Sequence, residues 1–135
     1  HILPNKGTPY IIANGGGFEL NADNFGVAHV AGTSWVRGNS ATTGKNGTRS
    51  GANAWVTGLT GNYADNGETI LMTPNYNFSV SGTYTLQFWA KFITEQGFDG
   101  FRVEYSTDKG SVWTPLGTTV AANWYNNANT SGTTT

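Results

Sequence analysis

Glu95 and Asp99 lie four residues apart around Gly97 and are the carboxylate pair best placed for acid–base chemistry. Such a pair hydrolyses glycosidic bonds only when the two groups are held at a defined separation across a cleft. The alternative is that Asp99 makes the Asp99-Gly100 turn, as short polar residues beside glycine commonly do, and that Glu95 is solvated. We favour the turn and expect no catalytic residue in this pair.

The composition gives little support for a nucleophilic catalytic site or a zinc site. The chain has no cysteine, which excludes disulfides, thiolate metal sites and thiol catalysis. It has two histidines, His1 at the terminus and His29 in a run typical of a strand, where we expect it to be partly buried. No serine nucleophile motif accompanies them, and two histidines are too few for an ordinary zinc site. We therefore expect that the chain is not an enzyme.

Loop carboxylates leave calcium as the one metal to consider, because Ca²⁺ binds about six to eight oxygen atoms. The alternative is that these carboxylates are simply solvated. Five of them fall at expected strand ends or in loops: Glu19, Asp23, Asp65, Glu68 and Asp99.

Aromatic side chains flanked by polar groups offer a second binding chemistry, since their faces can stack on sugar rings. Tyr63 lies in a polar loop, and Trp124 and Tyr125 lie near the end of the sequence. These three are the candidate ligand-binding residues, although Tyr63 can instead cover one end of a sandwich. Three tryptophans in strand patterns are expected in the core: Trp55, Trp89 and Trp113.

The composition indicates one all-β domain. The chain has 135 residues, of which only 11% are charged, while 19 are glycine and 18 are Trp, Tyr or Phe. Few charges and many turn residues are typical of short strands around an aromatic core. The net charge of −1 gives no electrostatic basis for binding nucleic acid. No apolar run is long enough for membrane insertion.

The elements that position these residues are predicted to be strands. Thr83 to Gln96 has apolar residues at alternate positions, which favours one long central strand. Turn signals separate several shorter strands, and this pattern predicts an antiparallel jelly-roll β-sandwich. We expect those shorter strands at Phe18–Leu20, Ala28–Val30, Ser34–Arg37, Asn53–Leu59, Thr69–Thr73, Phe78–Val80, Phe101–Ser106 and Val112–Leu116.

The turn from Ser106 to Trp113 is the most specific local pattern in the chain. Its spacing, Ser106-x-Asp108-x-Gly110-x-x-Trp113, resembles the Asp-box hairpin, a structural motif of several β folds. Asp108 can accept hydrogen bonds from the backbone of its own turn, and Gly110 can take the positive φ that closes the loop. Trp113 can then cover the hairpin. We expect a structural role for these residues.

Two longer stretches together resemble the jelly-roll modules related to MAM and cleaved-adhesin domains. The first joins Asn53–Tyr63 to Glu68–Pro74, and the second runs from Thr94 to Asp108 and closes at Trp113. The match extends from about Gly16 to Leu116. The resemblance implies a module of a secreted or cell-surface bacterial protein.

The family also implies a calcium site and further strands. Related modules often hold a structural Ca²⁺ that joins the first strand to the last. Glu19 matches that position best, with Asp23 nearby, and Asp99 is a further candidate. The closing strand is missing here, so we expect an N-terminal segment at 1–10, a sandwich module at 11–125 that is incomplete at its C-terminal end, and a tail or start of further strands at 126–135. Other segments of the polypeptide, or another protein chain, would then cover the open sheet edges.

These observations predict a non-catalytic, extracellular adhesion or interaction module of a larger bacterial protein. One alternative is a carbohydrate-binding module with glycans as partners. Another is an accessory domain of a secreted peptidase or glycoside hydrolase, whose catalytic residues lie elsewhere.

Overall fold

The computed structural model of the chain describes residues 2–3, 17–20, 25–42, 45–95 and 97–118. In these ranges the fold is all-β, with short antiparallel strands and no helix. The all-β prediction is confirmed, whereas the jelly-roll arrangement stays a prediction. The chain divides into two compact units, His1–Phe92 and Ile93–Thr135. None of the described residues forms a helix with the length and hydropathy needed to cross a membrane.

The described residues of the first unit form six strands, which pair as three two-stranded antiparallel sheets. The pairs are β1 with β6, β2 with β5, and β3 with β4. Their bounds are β1 Ile2–Leu3, β2 Gly26–Ala31, β3 Trp35–Gly38, β4 Ala54–Thr57, β5 Glu68–Met72 and β6 Thr85–Leu86.

The longest ladder, β2 with β5, contains the β-branched residues Val27, Val30, Thr69 and Ile70, which suit a pleated surface. Val27 lies opposite Leu71, and the register shifts between His29 and Ala31. Beyond the shift the chain turns at Gly32, whose φ is +77°. A Cβ on Gly32 would lie 2.6 Å from the Cα of Gly67, so this end of the ladder closes only with glycine at position 32.

Aromatic packing in the first unit centres on Trp55 in β4. The rings of Phe18 and Phe25 meet edge to face at 5.1 Å between centroids, and Phe25 stacks on Trp55 at 6.4 Å. These geometries favour aromatic attraction. All three side chains remain half-buried, and Ser40, 2% exposed, is the only fully buried side chain in the described part of the chain.

The second unit contains one described hairpin. Strand β7 is Glu104–Tyr105 and pairs antiparallel with β8, Thr114–Pro115. The backbone N–H of Leu116 donates to Val103 O at 2.8 Å and extends the pairing by one bond. Arg102 and Glu104 form a surface ion pair at 2.9 Å beside β7.

Six of the shorter predicted strands coincide with β2, β3, β4, β5, β7 and β8, although the observed strands are often shorter. The other strand predictions are wrong. Phe18–Leu20 is not a strand, because Phe18 has a φ of +60°, which turns the chain. Phe78–Val80 is not a strand either. In the described part of the predicted Thr83–Gln96 strand, β6 is the only strand. Alternation marks an apolar face, but it does not supply the neighbouring strand that a ladder needs.

Candidate functional site

The turn that joins β7 to β8 is organised by Ser106 and Asp108. Ser106 Oγ donates to Asp108 Oδ1 at 2.7 Å and accepts the N–H of Gly110 at 2.7 Å. Asp108 Oδ1 also accepts the N–H of Val112 at 2.9 Å. The Ser106 hydroxyl is the main reason that the pKa of Asp108 lies below its ordinary value, and the Val112 amide adds to the effect.

Gly110 fits this turn for two reasons. Its φ is +94°, and a Cβ there would lie 3.3 Å from Cζ2 of Trp113. Trp113 therefore lies against the backbone of the turn, but it is 42% exposed, which contradicts its expected core position. The side chains of Ser106 and Asp108 form hydrogen bonds with each other and with the backbone of the turn, which supports the structural role we expect for them.

Glu95 and Asp99 are held together by backbone hydrogen bonds. The N–H groups of Phe98 and Asp99 both donate to Glu95 O, at 3.2 and 3.0 Å, and Gly97 takes a φ of +85°. This segment is a tight turn, with Glu95 exposed and Asp99 half-buried. The turn ends at Asp99 and precedes the expected Asp99-Gly100 turn, which the structure does not contain.

Glu19 braces the loop that precedes β4. Its carboxylate accepts the N–H of Asn53 at 2.9 Å, the N–H of Ala52 at 3.0 Å, and Nδ2 of Asn53 at 3.2 Å. The Asn53 amide, followed by the Ala52 amide, holds the pKa of Glu19 below its ordinary value. Nearby, Arg37 Nη1 donates to Phe18 O at 2.7 Å and fixes the residue before Glu19.

These neighbours bear on the calcium prediction. The groups that contact Glu19 are N–H donors, which suit an anion, whereas Ca²⁺ requires surrounding oxygen atoms. Among the described residues, no three His, Asp or Glu side chains come together as a metal-binding group. Asp23 lies outside the described residues. A calcium ion bound through Glu19, Asp23 or Asp99 stays a prediction.

The predicted aromatic platform is only partly described. Tyr63 is half-buried in the loop between β4 and β5. Trp124 and Tyr125 lie outside the described residues. His29 lies in β2 as expected but is exposed rather than partly buried; its Nε2 is 2.8 Å from Gly32 O and donates to it in the tautomer protonated at Nε2.

A different aromatic residue, Trp89, is the most exposed tryptophan in the described part of the chain. It is 77% exposed, which contradicts the expected core position. The guanidinium carbon of Arg49 lies 4.4 Å from the centroid of its ring, within cation–π range. Trp89 falls out of phase with the alternating apolar residues between Tyr84 and Phe92, but this did not reveal its exposure, since the in-phase Phe88 and Phe92 are exposed as well.

Arg49 lies in the loop between β3 and β4, and hydrogen bonds fix the described part of this loop at several points. Lys91 Nζ donates to Asn46 O at 2.8 Å, and Thr48 Oγ1 donates to Gly51 O at 2.7 Å. At the start of the loop, Lys45 Nζ donates to Thr57 O at 2.7 Å and to Gly58 O at 3.1 Å. We call Arg49, Trp89 and Lys91 the cation–indole patch.

Comparisons of the chain with protein-family models, with curated proteins and with solved structures found no match in any of the three.

Proposed function

We propose that this chain is a non-catalytic attachment module of a larger bacterial secreted or cell-surface protein. The observation that carries the proposal is the position of its large apolar side chains. In the described part of the chain none is buried, and fifteen are exposed, among them Trp89, Val30 and Ile93. Exposed apolar groups in such number mark surfaces that contact other molecules.

Strand pairing supports the same proposal. In the described residues every sheet has two strands, so each strand pairs along one side only. Unpaired strand edges accept further strands, and two-stranded sheets gain stability when another layer covers them. Another segment of a longer polypeptide, or another protein chain, would cover these edges. The resemblance to jelly-roll modules of bacterial surface proteins is in keeping with this role.

Val30 and Ile70 provide a test, because they lie on the paired strands β2 and β5 and are 63% and 39% exposed. A fluorescent-protein fusion of the chain is passed over surfaces coated with purified collagen, fibronectin or fibrinogen. We expect retention above that of the fluorescent protein alone, and less retention after Val30→Ser with Ile70→Ser. Retention no greater than that of the fluorescent protein on all three coatings would count against protein attachment.

A control distinguishes specific loss from unfolding. Far-ultraviolet circular dichroism of the double variant should match that of the unsubstituted chain. Leu20→Ser removes an apolar side chain that is 93% exposed and lies outside the strands, and it should leave retention unchanged if β2 and β5 carry the contact.

A further inference from the structure

We propose that the cation–indole patch binds an anionic saccharide, a sugar chain that carries carboxylate or sulfate groups. This inference deepens the proposed attachment function and rests on it, because it names one class of ligand to which the module attaches. The site consists of Arg49, Trp89 and Lys91, which lie within the first unit.

Trp89 supplies a stacking surface. Arg49 lies over its ring at 4.4 Å, yet the side chain remains 77% exposed, so most of the indole surface is accessible to a ligand. The C–H face of a pyranose ring is apolar and carries a partial positive charge on its hydrogens. It therefore complements the electron-rich face of an indole in shape and in charge.

Arg49 provides the group that would bind the anionic part of the ligand. A guanidinium presents a planar fork of N–H donors that matches a carboxylate or sulfate, and it keeps this capacity while stacked on an aromatic ring. In the described part of the chain, the ion pair is between Arg102 and Glu104, and Arg49 makes none. The guanidinium would therefore contact a charged group on a neighbouring unit of the sugar chain, past the edge of the indole, and not the sugar ring that is stacked on Trp89.

The surrounding sequence makes the local charge positive although the chain has a net charge of −1. Residues 38–64 include Lys45 and Arg49, and residues 69–94 include Lys91, and neither stretch contains Asp or Glu. The carboxylate known to contact this loop, Glu19, directs its oxygens at the amides of Ala52 and Asn53. The two stretches that carry the patch thus contribute three cations and no carboxylate.

The patch is also preorganised. Lys91 donates a hydrogen bond to Asn46 O, and Thr48 donates one to Gly51 O. The carboxylate of Glu19 accepts the backbone N–H groups of Ala52 and Asn53. The loop is consequently positioned before a ligand arrives, which lowers the entropic cost of binding. The Lys91 ammonium carries three donors, one of which binds Asn46 O, and it adds a second cation to the patch.

Isothermal titration calorimetry of the complete 135-residue chain tests the proposal with three probes. Oligogalacturonate carries carboxylates, a heparin oligosaccharide carries sulfates as well, and maltohexaose is neutral. We expect binding of at least one anionic probe, no binding of maltohexaose, and weaker binding at higher salt. The first two probes show whether carboxylate alone is sufficient.

Substitutions locate the site. We expect Trp89→Ala and Arg49→Gln each to raise Kd about tenfold or more, as exposed Trp and Arg anchors commonly do. Arg49→Lys keeps the charge but loses the planar fork. The Kd of this variant should therefore lie between the Kd of the original chain and that of Arg49→Gln. Arg102→Gln removes the same single positive charge from a residue outside the patch, so it tests whether net charge alone sets Kd, and we expect Kd to stay within about twofold.

Three results would overturn the inference: neither anionic probe binds, maltohexaose binds equally well, or Trp89→Ala and Arg49→Gln leave Kd unchanged. Because these two side chains are exposed, both variants should keep the melting temperature of the original chain. If sugar binding fails while the fusion is still retained on protein-coated surfaces, this inference fails alone. If both fail, the attachment function fails with it.

Discussion

Trp35 and Thr69 join the two larger ladders of the first unit through two hydrogen bonds. The backbone N–H of Trp35 donates to Thr69 Oγ1 at 3.3 Å, and the indole Nε1 of Trp35 donates to Thr69 O at 3.3 Å. Trp35 begins β3 and Thr69 lies in β5. These two hydrogen bonds therefore fix the β3–β4 ladder relative to the β2–β5 ladder. The Thr69 hydroxyl also lies 3.5 Å from Ala28 O in β2.

Removing the hydroxyl of Thr69 should weaken this connection. In Thr69→Val the half-buried N–H of Trp35 loses its acceptor, and we expect a loss of about 1 kcal/mol in the free energy of unfolding. Urea denaturation followed by tryptophan fluorescence measures the change. Thr69→Ser keeps the hydroxyl and should lose less; equal losses in the two variants would show that the methyl group, not the hydrogen bond, matters.

The Glu19 brace should make stability depend on pH. Because the pKa of Glu19 is lower in the folded chain than its ordinary value of 4.5, its contribution is present above that value. The contribution is lost as the pH falls through the folded pKa. We therefore expect urea midpoints to fall with acidification below about pH 5, and to fall less in Glu19→Gln.

Asp108 supplies the control for this experiment, since its pKa is also below the ordinary value, mainly through Ser106. Glu19→Gln should leave part of the acid sensitivity, and Glu19→Gln with Asp108→Asn should leave less. Identical pH profiles for the original chain and the double variant would rule out both carboxylates as its source.

Two glycine substitutions near the loop of Arg49 should separate a backbone cost from the loss of the Glu19 contacts. Gly51 has a φ of +64°, and a Cβ there would meet the carboxylate of Glu19. Gly61 has a φ of +66° but open space around it. We expect Gly61→Ala to cost about 1 kcal/mol from the backbone alone, and Gly51→Ala to cost more.

Gly51→Ala should also raise the Kd for the anionic probe, because it displaces the brace that holds the loop of Arg49. Gly61→Ala should not. Thermal melts and calorimetry of both variants provide the comparison. Equal melting temperatures and equal Kd values for the two would contradict a role of the Glu19 brace in the patch.

Lys109 offers a stabilising substitution in the Asp108 turn. Its φ is +64°, a conformation that costs a residue with a side chain about 1 kcal/mol or more and costs glycine little. Lys109→Gly should therefore stabilise the hairpin and slow amide exchange at Val112, measured by nuclear magnetic resonance. Thr107→Gly, at a position without positive φ, should accelerate that exchange. Acceleration in both variants would contradict the strain assigned to Lys109.

Local hydrogen-bonding patterns were the most predictable part of the chain. Ser106, Asp108 and Gly110 lie within five residues, so their spacing alone predicts which groups can reach one another in a turn. Most short strands were predictable for a similar reason, since β-branched and aromatic residues between turn signals favour extended backbone. The short length of the strand within Thr83–Gln96 could not be predicted in this way. A strand also needs a neighbouring strand to pair with, and the segment itself does not encode that strand.

The sequence by itself therefore determined the all-β class, the low charge and the chemistry of individual turns, all of which follow from composition or from groups a few residues apart. Only the tertiary structure brought Glu19 to Asn53, Trp35 to Thr69, and Arg49 to Trp89. These pairs are separated by more than thirty residues. Their meeting depends on how the intervening ladders and turns direct the chain, which no local pattern specifies.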